Sequence, residues 1–338
     1  MHPNHDLNNL TSAEVTNLWN TYMNDSGAIC HLKYELSHVE DEEIKSVLQY
    51  ALEMSQSHVK QIEDFYNQEG HPIPRGFSIE EDVDVSAPRL FTDVYFLNSA
   101  NQMGKIGLGN YGIAITHATR EDVFQFFKTC INESVELINK CKELLMKKGL
   151  YSKTPYLPVP ENVDFVNQKS FLSGFFQEKR PLTGEEIMNL YSNFERNALG
   201  SATMMGYSQI AQDNEVMKFL LRGKELANKH TKIFGEILKQ NDTPIPMTWD
   251  SEVTDSTSYV YSDRKMMFYS TALIALSITY YGAGLAASPR RDVGAVYSRL
   301  ITELMKYADD GAKLMIKYEW MEEPPRSVDR DELAKKKD

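Results

Sequence analysis

Two histidines stand where helical periodicity turns them inward. His58 shares a seven-residue row with Ile44, Ala51 and Phe65, and His230 holds the matching place in the second half of the chain (230 − 58 = 172). A buried imidazole needs partners for its ring nitrogens. Asp25 interrupts the apolar row of Leu18, Leu32 and Val39, and Glu133 lies beside the row of Val123, Cys130, Leu137 and Leu144. Asn197 and Glu303 hold the corresponding places in the second half. Each half is therefore expected to contain a His–Asx–Glu cluster. His31 and Glu35, four residues apart, could add an imidazole and a carboxylate in the first half alone. Asp25, His31, Glu35, His58 and Glu133 form the candidate metal set, for iron, manganese or zinc. Asn197, His230 and Glu303 read as a buried polar cluster, because an amide is a poor metal ligand.

The spacing argues against the usual di-metal site of a helical bundle, which takes Glu-x-x-His from two helices. Position 55 is Ser and position 227 is Ala, so the Glu is missing before both His58 and His230. The motif occurs at Glu35 and His38, at the end of a helix and off its apolar rows, where a solvated helix end is the simpler expectation. Hydrogen-bonded structural histidines with no cofactor are thus the main reading, and a metal in the first half is the rival. Cys30, Cys130 and Cys141 all lie in the first half; they read as small core residues in a reducing compartment rather than a disulfide framework. The pair His2 and His5 is discounted as a metal signal.

The elements that must position these residues occur twice. Leu10-Thr11-x-x-Glu14 returns as Leu182-Thr183-x-x-Glu186, and Pro72-Ile73-Pro74 returns as Pro244-Ile245-Pro246. Asp93, Tyr111, Arg120 and Glu133 return as Asp263, Tyr281, Arg290 and Glu303, with an offset of 303 − 133 = 170. A repeat of that size matches a whole domain. Each copy reads as four helices without sustained period-two alternation. In the first copy a capping box at Thr11 and Glu14 opens helix one, and helix two runs from about Glu43 to Gln68. Helix three begins near Arg89, and Thr119-x-x-Asp122 caps helix four. Short connections join the first and second pairs of helices, and a long one joins the pairs. That plan is a four-helix bundle with one crossover, the ferritin-like arrangement. The expected fold is all-α: two tandem ferritin-like bundles from an internal duplication, residues 1–150 and 182–323. Residues 151–181 form a Pro-rich linker whose Phe165, Phe171, Phe175 and Phe176 should dock on a bundle, and 324–338 form a charged, frayed tail.

Composition narrows the partners. A net charge of −12 repels phosphate backbones, so nucleic acid is not expected as a partner. The start shows no basic, apolar signal segment, which points to the cytoplasm. From Met266 to Ser288 there is no charged residue, yet the segment carries many hydroxyls and two glycines. Burial between the two bundles is the expectation, with a protein interface or self-association next and membrane insertion last.

The paired openings, the paired Pro-Ile-Pro segments and His58 with His230 give the chain a resemblance to a family of uncharacterised proteins from spore-forming bacteria. Those proteins are built from two tandem ferritin-like bundles and are related to spore coat protein F. The resemblance implies the fold and a spore- or coat-associated setting, and transfers no catalytic residue. A non-enzymatic structural or interaction protein is the reading that follows. The alternative is a metal-storage or carboxylate–histidine oxidoreductase site in the first bundle.

Overall fold

The computed structural model describes residues 9–175 and 179–335; His2, His5 and Phe176 lie outside them. Among the described residues the chain is all-α, with no strand and two isolated antiparallel bridges. The first copy holds α1 (Ser12–His38), α2 (Glu42–Glu69), a single turn α3 (Ile79–Asp82), α4 (Asp93–Ile115) and α5 (Glu121–Lys147). The second holds α6 (Gly184–Ile210), α7 (Asn214–Lys239), α8 (Asp263–Ala286) and α9 (Arg291–Lys317), and a short α10 (Arg330–Lys335) follows.

The duplicated caps form as the sequence dictates. Thr11 and Thr183 each accept from the backbone N–H three residues on, and Glu14 and Glu186 reach back to complete the box. Each glutamate then does a second job. Glu14 Oε1 accepts from the backbone of Thr119 (2.7 Å) and Arg120 (2.8 Å), so it caps α5 from across the bundle. Glu186 Oε1 takes the N–H of Arg290 at 3.0 Å in the same way. This corrects the expected Thr119–Asp122 cap: α5 has no side-chain bond from its own N-cap residue, Arg120. Helix α2 ends at Gly70, whose φ of 66° is readily reached only without a side chain.

The two copies meet through their crossover segments, which trade bonds in pairs. The Asp84 N–H donates to Val260 O (2.8 Å), and the Thr254 N–H donates to Leu90 O (2.9 Å). Ser262 donates to Asp82 O and Thr92 to Glu252 O, both at 3.1 Å. With the offset of 170 (254 − 84 and 260 − 90), each bond is the image of the other. The bridges Val83–Tyr261 and Phe91–Val253 obey the same rule. Residue i meets j and the copy of j meets the copy of i, which is the signature of a twofold, isologous interface built inside one chain. The approach is close: a Cβ on Gly206 of α6 would lie 2.5 Å from the Phe91 ring. One large buried cluster includes side chains of both copies, so the two share a core.

Two expectations need correction. The Met266–Ser288 stretch is not buried all round: Met266, Met267, Ser270, Ile274, Tyr281 and Gly284 face inward, while Ala275 and Thr279 are exposed. Its exposed positions are small and uncharged (Ala275, Thr279, Ala283 and Ala286), so one face of α8 meets solvent without a charge. Among the described residues no helix is long and apolar enough to cross a membrane. In the linker, Phe171 stacks under Arg180 at 4.1 Å, but Phe165 is 88% and Phe175 59% exposed, so those two rings do not dock into a core.

Candidate functional site

The first-copy cluster is assembled from four helices. Helix α2 brings His58 and Ser55, α1 brings Asp25, α4 brings Tyr111 and α5 brings Glu133. His58 is wholly buried and Asp25 nearly so, while the Glu133 side chain keeps 29% exposure. His58 Nδ1–H donates to Asp25 Oδ2 at 3.0 Å, and Nε2–H donates to Glu133 Oε2 at 2.7 Å. Ser55 donates to Asp25 Oδ1 at 2.9 Å and Tyr111 to Oδ2 at 3.3 Å. Burial opposes a charge on His58, but Asp25 foremost, then Cys130 and Glu133, outweigh it and push the pKa up to about 12. The ring is therefore an imidazolium clamped between two carboxylates. Burial raises the thiol of the neighbouring Cys130, so that sulfur is a packed thiol rather than a nucleophile.

The second-copy cluster keeps the positions and changes the charge. Asn197 stands for Asp25, Ala227 for Ser55 and Tyr281 for Tyr111. Tyr281 OH lies 3.0 Å from His230 Nδ1 and 2.8 Å from Asn197 Nδ2. His230 Nε2 is 3.3 Å from Glu303, whose carboxylate is also held by Lys229 at 2.8 and 2.9 Å. Burial lowers the pKa of His230 despite Glu303, so its ring is neutral at pH 7. Nε2–H then donates to Glu303 and Nδ1 accepts from Tyr281. The expected trio is present, but Asn197 reaches His230 through Tyr281 rather than directly.

His31 and Glu35 do not join His58. They face the other copy, at the twofold seam, which corrects both the five-residue metal set and the reading of Glu35 as a solvated helix end: Glu35 is 3% exposed. His31 Nε2 lies 2.5 Å from Tyr207 OH, and Lys265 Nζ of α8 lies 2.8 Å from His31 Nε2 and 3.0 Å from Nδ1. Tyr261 and Tyr269 present their edges or faces to His31 at 4.8 Å. Burial drives Lys265 down to about 7 and Glu35 up to about 8, and burial with Lys265 keeps His31 neutral. Across the pseudo-twofold the image of Lys265–His31 is Tyr95–Thr203, a plain hydroxyl pair at 2.8 Å. Sequence reading missed Lys265, Tyr207, Tyr261 and Tyr269 as partners. The available signal was Lys265 itself, the last charge before the uncharged run of α8, where the first copy has Tyr95.

The donor set does not fit a metal centre. Both His58 nitrogens are committed to carboxylates, one His and two acids remain where a di-metal site needs twice that, and His31 and Glu35 are elsewhere. Among the described residues no group of three or more His, Cys, Asp or Glu is arranged to hold a metal ion.

The duplication seen in the contacts is also a family relationship. The model of a family described as "Protein of unknown function (DUF3231)" matches residues 2–163 and again residues 170–333. The chain belongs to that family, twice over. The family resemblance read from the paired motifs is borne out, and each matched span contains one of the two helical copies described above. No curated protein matches the chain. Among solved structures, one described as a "putative spore coat protein" from Bacillus halodurans C-125 is 22% identical with a TM-score of 0.38, covering 46% of this chain and 97% of its own.

Proposed function

We propose that this protein is a non-enzymatic structural or interaction protein, ferritin-like in plan, with residues 1–150 and 182–323 as its two bundles. What supports the reading is the saturation of the first-copy cluster. His58, the residue best placed for chemistry, is itself wholly buried and donates from both nitrogens to carboxylates, which leaves neither a free base nor an open coordination position on the ring. Such a cluster ties four helices together rather than turning over a substrate. The reading includes association with another protein or a second copy, in the cytoplasm and in a spore or its coat, the setting implied by the resemblance in sequence.

The test is metal content and thermal unfolding of the native chain, with and without added iron, manganese or zinc. Binding to an assembled site raises the melting temperature by mass action. The expected result is no metal-dependent rise in wild type. A rise that His58→Gln abolishes and His230→Gln leaves intact would replace this reading with the metal-storage or oxidoreductase alternative. For the setting, the tagged chain should appear in the coat extract of a sporulating host; its confinement to vegetative cytosol would remove that half of the proposal.

A further inference from the structure

The histidine clusters spend their polar groups on one another, but one polar pocket at the seam does not. A cavity of about 460 Å³ opens between α4 and α5 of the first copy and α6 of the second, with the start of the linker over it. Its wall on α4 is a stripe of Asn98, Asn101 and Lys105, at the spacing that puts all three on one helix face. Lys142, Lys153 and Glu195 complete the charged lining.

Three of these groups lack what buried polar groups normally have. Asn101 is 5% exposed, yet its Oδ1 has no hydrogen-bond partner. Lys105 and Glu195, both partly buried, influence each other's charge across the pocket but are too far apart for an ion pair, and neither has another hydrogen bond among the described residues. By contrast, Lys142 donates to Asn139 at 2.7 Å and Asn98 to Val94 O at 2.8 Å. The lining carries three ammonium groups against one carboxyl (3 − 1 = 2), a local positive excess in a chain whose net charge is −12.

The duplication supplies a control. On α8 the stripe equivalent to Asn98, Asn101 and Lys105 is Phe268, Thr271 and Ala275, and Lys142 becomes Ala312. There Phe268 packs on Phe77 at 5.0 Å and Thr271 bonds its own helix backbone. The packing problem of the seam is thus solved with apolar and self-satisfied residues on one side. The polar stripe on the other side is not required by the fold.

We propose that this pocket binds a small, polar, anionic molecule, with its phosphate or carboxylate held by Lys105, Lys142 and Lys153 and a hydroxyl or amide donor meeting Asn101. Glu195 selects for a ligand that brings a donor of its own to that wall. The proposal is independent of the reading of the histidine clusters, since it uses none of their residues.

The experiment is isothermal titration of the full chain with inorganic phosphate, citrate and ribose 5-phosphate at constant ionic strength. At least one should bind saturably, one per chain. Lys105→Ala and Asn101→Thr install the residues of α8; the first should weaken binding by roughly tenfold or more, as expected for losing a bond to a charged group, and the second by roughly three- to tenfold, as expected for a neutral one. Lys218→Gln, on the far surface of α7, should leave it unchanged. Should Lys105→Ala fail to fold, Asn101→Thr decides alone. The proposal is overturned if none of the three probes binds above a matched chloride control, or if the pocket variants bind as wild type does.

Discussion

His58 and His230 occupy the same place in two copies of one fold, and they carry different charges. The backbone frame, the inward row on the second helix and the glutamate on the fourth are common to both. What differs is Asp25 against Asn197, with Ser55 and Ala227 following suit. A carboxylate at that position pairs directly with the imidazole and keeps it protonated; an amide cannot, and a tyrosine hydroxyl takes over the contact. The lesson is that one atom on helix one sets the ionisation of a ring on helix two, while the fold tolerates either state provided every nitrogen is satisfied.

The largest effect should come from removing the clamped ring. His58→Gln leaves two carboxylates facing a buried gap and should destabilise by about 3–5 kcal/mol, the range for breaking a buried charge pair. His230→Gln removes the bonds of a neutral ring, one of them to the Glu303 carboxylate, and should cost about 2 kcal/mol. Urea unfolding of both variants checks this, and equal losses would break the comparison.

Swapping the deciding atom comes next. Asp25→Asn should cost about 3 kcal/mol and bring the His58 pKa down, because the imidazole loses its principal counter-charge. Asn197→Asp should raise the pKa of His230. Imidazole carbon shifts followed by NMR across pH would show both movements; an unmoved His58 in Asp25→Asn would mean that Glu133 alone holds the charge.

The pH dependence should split by copy, with the larger change on the limb set by His58. His58 has a folded pKa above its unfolded value near 6.5, so its contribution is complete below about pH 6.5 and is lost as pH rises toward about 12. His230 has a folded pKa below its unfolded value, so its contribution is present above about pH 6.5 and is lost as pH falls. His58→Gln should flatten the alkaline limb and His230→Gln the limb between about pH 7 and 5. Thermal unfolding across pH measures both, and interchange of the two limbs would contradict the charge assignment.

The smallest effect is expected on α8. Ala275→Lys, which copies Lys105 into the second copy, lies on an exposed face and should change stability by less than about 0.5 kcal/mol. A loss of several kcal/mol would restore the idea that α8 is buried on every side.

Much of this was legible in the residues. The seven-residue rows place His58 and Asp25 inward and Glu133 at the edge of its row, because a helix repeats its face every three to four residues, and the doubled motifs count two copies of one all-α unit. The capping boxes could be read locally for the same reason: their partners lie three residues apart. Contacts between copies could not be read that way. Glu35 looks solvated on its own helix and is buried because Tyr207, Tyr261 and Lys265 arrive from residues more than 170 positions away (207 − 35 = 172). Lys265 looks like the charged boundary of an apolar segment and is instead enclosed beside His31. The sequence by itself determined the elements, their duplication and the partners of His58, since those follow from periodicity within each copy. Only the tertiary structure decided which faces meet across the twofold seam, because burial there depends on how two finished units dock, and no local pattern encodes that.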